Sequence, residues 1–159
     1  MKTLHLEKHG LRGLAIAESF LQNSKKSILA GLVTTSDFII DGFIFGHSTV
    51  GGDDATDTIL SMYTKLNRSD INFILISGIV ISLYNIIDIK KISQKTELPV
   101  IGVTYNDSDS IQDAIKHHFP NSYKSKLDQY SKLDSRNEIT LHTSSVSYTH
   151  LTLPTSDLV

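Results

Sequence analysis

The spacing of the hydrophobic residues changes near residue 54 of this chain, and that change limits the folds that the chain can adopt. Three short apolar segments come first, each bounded by polar residues or glycine, at 11–20, 27–35 and 38–46. Segments of this length and composition are typical of β-strands. Because the connections between them are short, the sequence predicts three consecutive strands that pair in an antiparallel meander.

Helical and extended patterns alternate in the rest of the chain. A helical spacing of three and four residues begins at Asp54, whereas 72–78 is a continuous apolar run, as in a strand covered on both faces. The later segments are a helix within 81–95, a strand at 98–106 and a helix over 111–119. This order predicts an α/β fold with a mixed five-stranded sheet, three antiparallel strands then two parallel ones, and helices on both faces. Such a layout is ribonuclease-H-like.

The length and composition fit one domain, followed by a tail that we exclude from the predicted domain. The chain has 159 residues, of which 40% are hydrophobic and 20% charged, which is enough for a single core. Residues 146–155 match the translation of a common sequencing adapter. We therefore predict a single ribonuclease-H-like domain at 1–145, truncated at its C-terminus, and an adapter-derived tail at 146–159. The alternative is a natural tail rich in serine and threonine.

The charge and the absence of cysteine exclude several classes of protein. Without cysteine, the chain has neither a disulfide framework nor a thiolate metal site. No apolar run reaches the roughly 20 residues that cross a bilayer, so we expect a cytoplasmic protein with no membrane partner. A formal net charge of −2 disfavours a broad electrostatic surface for nucleic acid and leaves room for a local basic patch.

Carboxylates are concentrated where the first helix is predicted to begin. The sequence Gly-Gly-Asp-Asp-Ala-Thr-Asp occupies residues 51–57. One interpretation is helix capping, because Asp54 lies at the N-cap position and Asp57 lies in the first turn, where negative charge is favoured. Capping does not require Gly51 and Gly52, which suit a sharp turn or a close approach of the backbone to another group.

A divalent-metal site is the other interpretation of these carboxylates. Glu18 lies at the end of the first predicted strand, which is central in a ribonuclease-H-like sheet. A carboxylate there can meet Asp53 or Asp54 around one ion. Hard oxygen ligands suit Mg²⁺ or Mn²⁺, and such an ion can activate water for phosphodiester cleavage. The residues alone leave both interpretations open.

Four blocks of sequence, in order, resemble one protein family. They lie between about residues 8 and 119 and read KHGLRGLAIAESF, STVGGDDATDTI, ISGIVISLYNIIDI and LPVIGVTYNDSDSIQDAI. The blocks are similar to the endonuclease dU family, which is largely archaeal and itself resembles endonuclease V, a ribonuclease-H-like repair nuclease. The resemblance implies a metal-dependent DNA repair endonuclease that cleaves near deoxyuridine, a deaminated base, with Mg²⁺ or Mn²⁺ as its cofactor.

The resemblance implies a carboxylate site with three departures from the family pattern. The implied catalytic and metal-binding residues are Glu18, Asp53 and Asp54. At positions where aspartate is expected from the family or from endonuclease V, this chain has Ala17, Gly51 and Ser77. Loss of anionic ligands weakens affinity for a hard cation. The alternative is therefore a catalytically degenerate relative that binds nucleic acid or nucleotides without cleaving them.

Further residues are candidates for contact with substrate or with the DNA backbone. The predicted strand at 72–78 ends at an edge of the sheet where α/β proteins bind ligands, so we expect a nucleotide pocket there. The candidates for substrate binding are Gly51, Gly52, Ser77, Gly78, Tyr84 and Asn85. The candidates for DNA-backbone contact are Lys8, Arg12, Lys25 and Lys26. The simpler alternatives are a helix cap at Ser82 and lysines that only aid solubility.

Overall fold

The computed structural model describes residues 10–21, 23–104, 111–133, 137–141 and 144–150, so Lys8 lies outside the described residues. The strands are β1 (Arg12–Ser19), β2 (Lys26–Thr35), β3 (Ile40–Thr49), β4 (Phe73–Ser77), β5 (Val80–Ile81), β6 (Asn85–Ile86), β7 (Val100–Thr104), β8 (Asn137–Leu141) and β9 (Ser144–His150). The helices are α1 (Ala55–Leu66), α2 (Ile89–Thr96), α3 (Ile111–His118) and α4 (Tyr123–Ser131). None of these described helices has the length and apolarity to span a membrane.

Seven of the described strands form one mixed sheet. Its order is β3-β2-β1-β4-β7-β9-β8, and β5 and β6 pair separately as a short hairpin. The strands β1, β2 and β3 are antiparallel, whereas β4 and β7 continue the sheet from β1 in parallel. The predicted α/β, ribonuclease-H-like fold is therefore confirmed, including its three antiparallel strands followed by two parallel ones.

The strands β8 and β9 add an antiparallel hairpin to the five predicted strands. Because β9 pairs with β7, residues 144–150 belong to the sheet. Sequence patterns do not predict this hairpin, since serine and threonine dominate it and its second strand runs into the segment set apart as a tail. The predicted domain boundary at residue 146 falls inside β9, and the adapter origin of 146–159 stays a prediction.

The core lies between the sheet and the helices α1 and α2. Burial alternates along β2, so that Leu29 and Val33 are fully buried on the face that α1 covers. Ile59 and Met62 of α1 pack onto this face. Gly46 of β3 makes room for the contact, because a Cβ there would lie 2.6 Å from the Met62 sulfur. The predicted first helix is confirmed.

Residues 80–86 form a hairpin where the sequence pattern allows a helix. The turn between β5 and β6 consists of Ser82, Leu83 and Tyr84, whose φ angles of 29°, 55° and 64° are all left-handed. Helix α2 begins only after this hairpin, and its N-cap is Asp88, whose side chain accepts a hydrogen bond from a backbone amide of the first turn. The expected helix cap at Ser82 is therefore wrong, because the β-branched residues around it pair as strands.

An ionic network joins the start of β1, the start of β3 and the loop after α1 at one end of the sheet. Arg12 Nε donates to Asp41 at 2.5 Å, and Arg68 Nη2 donates both to Asp41 at 2.7 Å and to Asp70 at 2.6 Å. Hydrogen bonds from Arg68 lower the pKa of Asp70 from 3.8 to about 2. Hydrogen bonds from Arg12 and Arg68 also lower the pKa of Asp41. This end of the sheet is thus held by ionised carboxylates.

The stability of the fold should depend on pH through this network. Because the pKa of Asp70 is lower in the folded chain than in the unfolded chain, its contribution is complete above about pH 4 and is lost as the pH falls towards about 2. We expect urea unfolding midpoints to fall over this range and to fall less steeply in Asp70→Asn. Asp113→Asn, at a surface position, is the control and should follow the wild-type curve. A wild-type curve that is flat from pH 4 to pH 2 would contradict the network's role.

Candidate functional site

The candidate site lies where β3 ends and α1 begins, and we call residues 51–54 the acidic corner. Gly51 has a φ of 71° and donates its amide to the Ser82 carbonyl at 2.8 Å. A Cβ at Gly51 would lie 3.3 Å from the Phe119 ring. The glycine thus serves a sharp turn and a close approach of the backbone to its neighbours, which is one of the roles that the sequence predicts.

The carboxylate of Asp54 holds the acidic corner against the end of β3. Its Oδ1 accepts from the Thr49 amide and from Asn85 Nδ2, both at 2.9 Å. Its Oδ2 accepts from the Thr49 hydroxyl at 2.8 Å and from the Thr49 amide at 3.1 Å. The Thr49 amide is shared between the two oxygens, so the carboxylate accepts three hydrogens, from the amide and hydroxyl of Thr49 and from Asn85. Burial opposes ionisation, but the hydrogen bonds from Thr49 and Asn85 outweigh it and lower the pKa of Asp54.

The expected capping role of Asp54 is half confirmed. Asp54 is the N-cap residue of α1, and its carbonyl accepts the Thr58 amide at 2.9 Å, but its side chain makes no capping hydrogen bond. The amide of Ala55 instead donates to Asn85 Oδ1 at 3.2 Å. The carboxylate cannot also cap the helix, because Thr49 and Asn85 occupy it.

Asn85 is completely buried and connects three segments of the chain. Its Nδ2 donates to Asp54 and, at 3.0 Å, to the Thr49 carbonyl, and its Oδ1 accepts from the Ala55 amide. These bonds use both hydrogens of the side-chain amide. The structure therefore gives Asn85 a bridging role in place of the predicted contact with substrate.

Asp53 faces a lysine that no sequence pattern distinguishes. Lys126 of α4 donates to Asp53 Oδ1 at 2.9 Å, and the lysine side chain is 4% exposed whereas that of Asp53 is 57% exposed. Composition does not distinguish Lys126 from Lys124 or Lys132, which lie in the same segment and are exposed. Only the register of α4 on the rest of the fold shows which lysine is buried.

Glu18 lies near the end of β1 and is partly buried. It pairs across the sheet with Leu29 of β2, on the face of the sheet that carries the core. Among the described residues, its Oε1 is a buried atom without a hydrogen-bond partner. The adjacent Ala17 points to the other face, because successive strand residues alternate. Of the three predicted carboxylates, Glu18 is thus the one that has a buried oxygen without a partner in the described chain.

Three of the predicted substrate contacts lie in different environments. Ser77 is exposed at the end of β4. Gly78 follows it with a φ of 84° and donates its amide to β7 at 2.7 Å. The Tyr84 ring packs against the rings of His118 and Phe119, with centroids 5.6 and 6.1 Å away. Only Tyr84 of these three is tied to the acidic corner by the contacts of the described chain.

The predicted basic strip is divided between the two ends of the sheet. Lys26 pairs with Thr49 at the start of β2, so Lys25 and Lys26 lie beside the acidic corner, and both are exposed. Arg12 lies at the opposite end of β1 and is engaged in the ionic network there. Lys25 and Lys26 therefore remain candidates for contact with the DNA backbone at the corner, and Arg12 does not.

The described residues do not fit the predicted divalent-metal site. No three histidine, cysteine, aspartate or glutamate side chains in the described part of the chain lie close enough to share an ion. Asp54 accepts hydrogen bonds from Thr49 and Asn85, and Asp53 Oδ1 accepts from an ammonium group. Mg²⁺ requires several oxygen ligands in a defined geometry, and in this arrangement the three predicted carboxylates do not converge to supply them.

The sheet order, with an acidic corner after its third strand, defines an α/β protein of the ribonuclease-H-like fold. Residues 9–156 match the family described as Endonuclease dU, and the chain belongs to this nuclease family. A UPF0215 protein of Pyrobaculum calidifontis is 33% identical over 107 residues, which cover 67% of this chain and 59% of that relative. The chain spans between half and three fifths of the length of the curated relatives it matches.

Solved structures share the fold of this chain. A protein of unknown function from Archaeoglobus fulgidus superposes with a TM-score of 0.74 at 23% identity, over 92% of this chain and 82% of that chain. Endonuclease V of Ciona intestinalis, in complex with a 24mer DNA containing an inosine followed by a ribo-adenosine, gives a TM-score of 0.50 at 9% identity, over 91% and 72%. The similarity to endonuclease V is thus confirmed at the level of the fold.

The substitution Asp54→Asn tests the hydrogen-bond network of the corner. It places an amide donor where the carboxylate accepts from other donors, so we expect the free energy of unfolding to fall by about 1–3 kcal/mol. Asp57→Asn is the matched control, because Asp57 is 69% exposed and pairs with Lys91 at the surface, and it should cost less than about 1 kcal/mol. Urea unfolding followed by circular dichroism measures both. Equal losses in the two variants would contradict a special role for Asp54.

Proposed function

We propose that this chain binds DNA carrying a deaminated base at the acidic corner, and that the corner in this arrangement does not cleave by a metal-dependent route. The observation that carries the proposal is the engagement of Asp54, whose carboxylate accepts three hydrogens, two from Thr49 and one from Asn85. A carboxylate held in this way organises the backbone, and binding of a cation would compete with these hydrogen bonds.

Family membership and the lysines beside the corner support DNA as the partner. The family is named for an endonuclease that acts on deoxyuridine, and an endonuclease V with the same fold is known in complex with DNA. Lys25 and Lys26 are exposed next to the corner, where ammonium groups can bind phosphates. The ring of Tyr84 lies at the same corner, and proteins that recognise damaged bases often stack them on aromatic rings.

A metal-dependent endonuclease is the second candidate, and Glu18 is the observation that favours it. Its buried Oε1 has no partner among the described residues, and such an oxygen calls for a missing ion or water. Bound Mg²⁺ or Mn²⁺ would supply activation of water and stabilisation of the leaving oxygen during cleavage near deoxyuridine. Asp54 would have to release Thr49 to join Glu18, so this candidate requires the corner to rearrange.

Binding and nicking of two matched duplexes separate the two candidates. One duplex carries a single deoxyuridine and the other is undamaged, and each is incubated with the protein in Mg²⁺, in Mn²⁺ or in chelator. We expect tighter binding to the deoxyuridine duplex and no nicking in any condition. Metal-dependent nicking of the uracil strand that is lost in Glu18→Gln and Asp54→Asn would establish the second candidate instead. Equal binding to both duplexes would contradict recognition of the deaminated base.

The double substitution Lys25→Ala with Lys26→Ala tests the contact with the DNA backbone. Each lysine that neutralises a phosphate contributes about one unit to the slope of log affinity against log salt, so we expect weaker binding to both duplexes and a slope smaller by about two. Lys95→Ala, at the exposed end of α2, removes a positive charge away from the corner and is the control. A loss of affinity as large in the control as in the double variant would mean that net charge alone governs binding.

A further inference from the structure

The lysine of α4 that meets the acidic corner is almost fully buried. Lys126 is 3% exposed. Its Nζ donates to the Gly52 carbonyl at 2.9 Å, to Asp53 Oδ1 at 2.9 Å and to the Tyr84 carbonyl at 3.0 Å. The same nitrogen lies 4.7 Å from the centroid of the Phe119 ring. An ammonium group has three N–H donors, so every donor finds an acceptor here.

This environment is the kind that a bound cation requires. Three oxygens, one of them from a carboxylate, and the face of an aromatic ring surround a single positive charge. Burial of an isolated charge is costly, and lysine is therefore rarely buried without such partners. The positive charge beside Asp53 is thus the ammonium group of Lys126. It occupies the position that a metal ion bound to Asp53 would take.

Lys126 also fastens the left-handed turn at residues 82–84 to the acidic corner. Non-glycine residues are unfavourable in this conformation and persist where the surrounding structure holds them. The first carbonyl of the turn, that of Ser82, accepts the Gly51 amide at 2.8 Å. The last carbonyl, that of Tyr84, accepts from Lys126. Both ends of the strained turn are therefore tied to the corner, one of them through the lysine.

We infer that Lys126 is a positioning residue whose buried ammonium group, in place of a divalent cation, holds the acidic corner and the left-handed turn in the conformation that contacts DNA. The DNA part of this inference rests on the proposed function, and the positioning part does not. Lys126 does not itself contact DNA, because its side chain is buried and its three donors are engaged.

Removal and chemical replacement of the ammonium group test the inference. In Lys126→Ala we expect affinity for the deoxyuridine duplex to fall about tenfold, and the Gly51 amide to exchange with solvent about tenfold faster. Propylammonium supplies the deleted atoms and should restore both quantities. Tetramethylammonium at the same concentration has no N–H donor and should restore neither. The control Lys132→Ala removes an exposed lysine that follows α4 and pairs with Asp128, and it should change neither quantity.

Two results of these experiments would overturn the inference. The first is unchanged affinity and unchanged exchange in Lys126→Ala. The second is equal recovery with propylammonium and tetramethylammonium, because the recovery would then reflect ionic strength and not hydrogen bonding by an ammonium group.

Two further measurements, one on the wild-type protein and one on Asp53→Asn, decide the question where Lys126→Ala does not fold. In the wild-type protein, Mn²⁺ should not selectively broaden the amide NMR signals of Gly52, Asp53 and Tyr84. Selective broadening would overturn the inference, because a divalent cation would then bind beside the lysine. Asp53→Asn weakens one acceptor at an exposed position and should accelerate exchange of the Gly51 amide, whereas unchanged exchange would also overturn the inference.

The proposed function and the positioning role can fail separately. Absence of DNA binding by the wild-type protein would refute the proposed function and the DNA part of the inference. The exchange and Mn²⁺ measurements contain no DNA, so they decide the positioning role in either case.

Discussion

The carboxylate of Asp54 is the contact on which the geometry of the acidic corner depends. It binds the end of β3 through Thr49 and the β5–β6 hairpin through Asn85, so that segments distant in sequence meet at one side chain. Asn85 has no exposed surface, and loss of its partner would leave a buried amide unsatisfied, which costs more than loss of a surface hydrogen bond. The start of α1 is therefore fixed by tertiary contacts and not by a local cap of its own side chain.

Ion pairs at the two ends of the sheet stabilise the fold in different ways. Where β1 begins, the network ties two strands to the loop after α1. Its members are partly exposed, so solvent screens their attraction. Lys126 at the opposite end is buried, and its removal would leave the oxygens around it without their donor. Protonation of exposed carboxylates therefore weakens the first end, whereas the second depends on a desolvated charge that the chain supplies.

The sequence predicts the elements of this fold better than it predicts their contacts. The apolar segments at 27–35 and 72–78 fall on the observed strands β2 and β4, because short apolar runs bounded by polar residues are typical of strands. The hairpin at 80–86 escapes prediction because its isoleucine-rich residues fit one face of a helix as well as a pair of strands. Asp54 is recognisable from its charge and position, but its partner Asn85 lies on that hairpin. The burial of Lys126 is not predicted, because only the packing of α4 distinguishes this lysine from its exposed neighbours.

Gly51, where the resemblance to the family implies an aspartate, shares its contacts with the buried Lys126. An aspartate at this position would have to adopt a φ of 71°, and its Cβ would lie 3.3 Å from the Phe119 ring. Glycine permits that approach and lets its amide reach Ser82, and the same ring then covers the ammonium group that donates to Asp53. An aspartate here would strain this backbone and would require the ring to shift by a few tenths of an ångström. A carboxylate at residue 51 and the burial of Lys126 therefore depend on the same contacts.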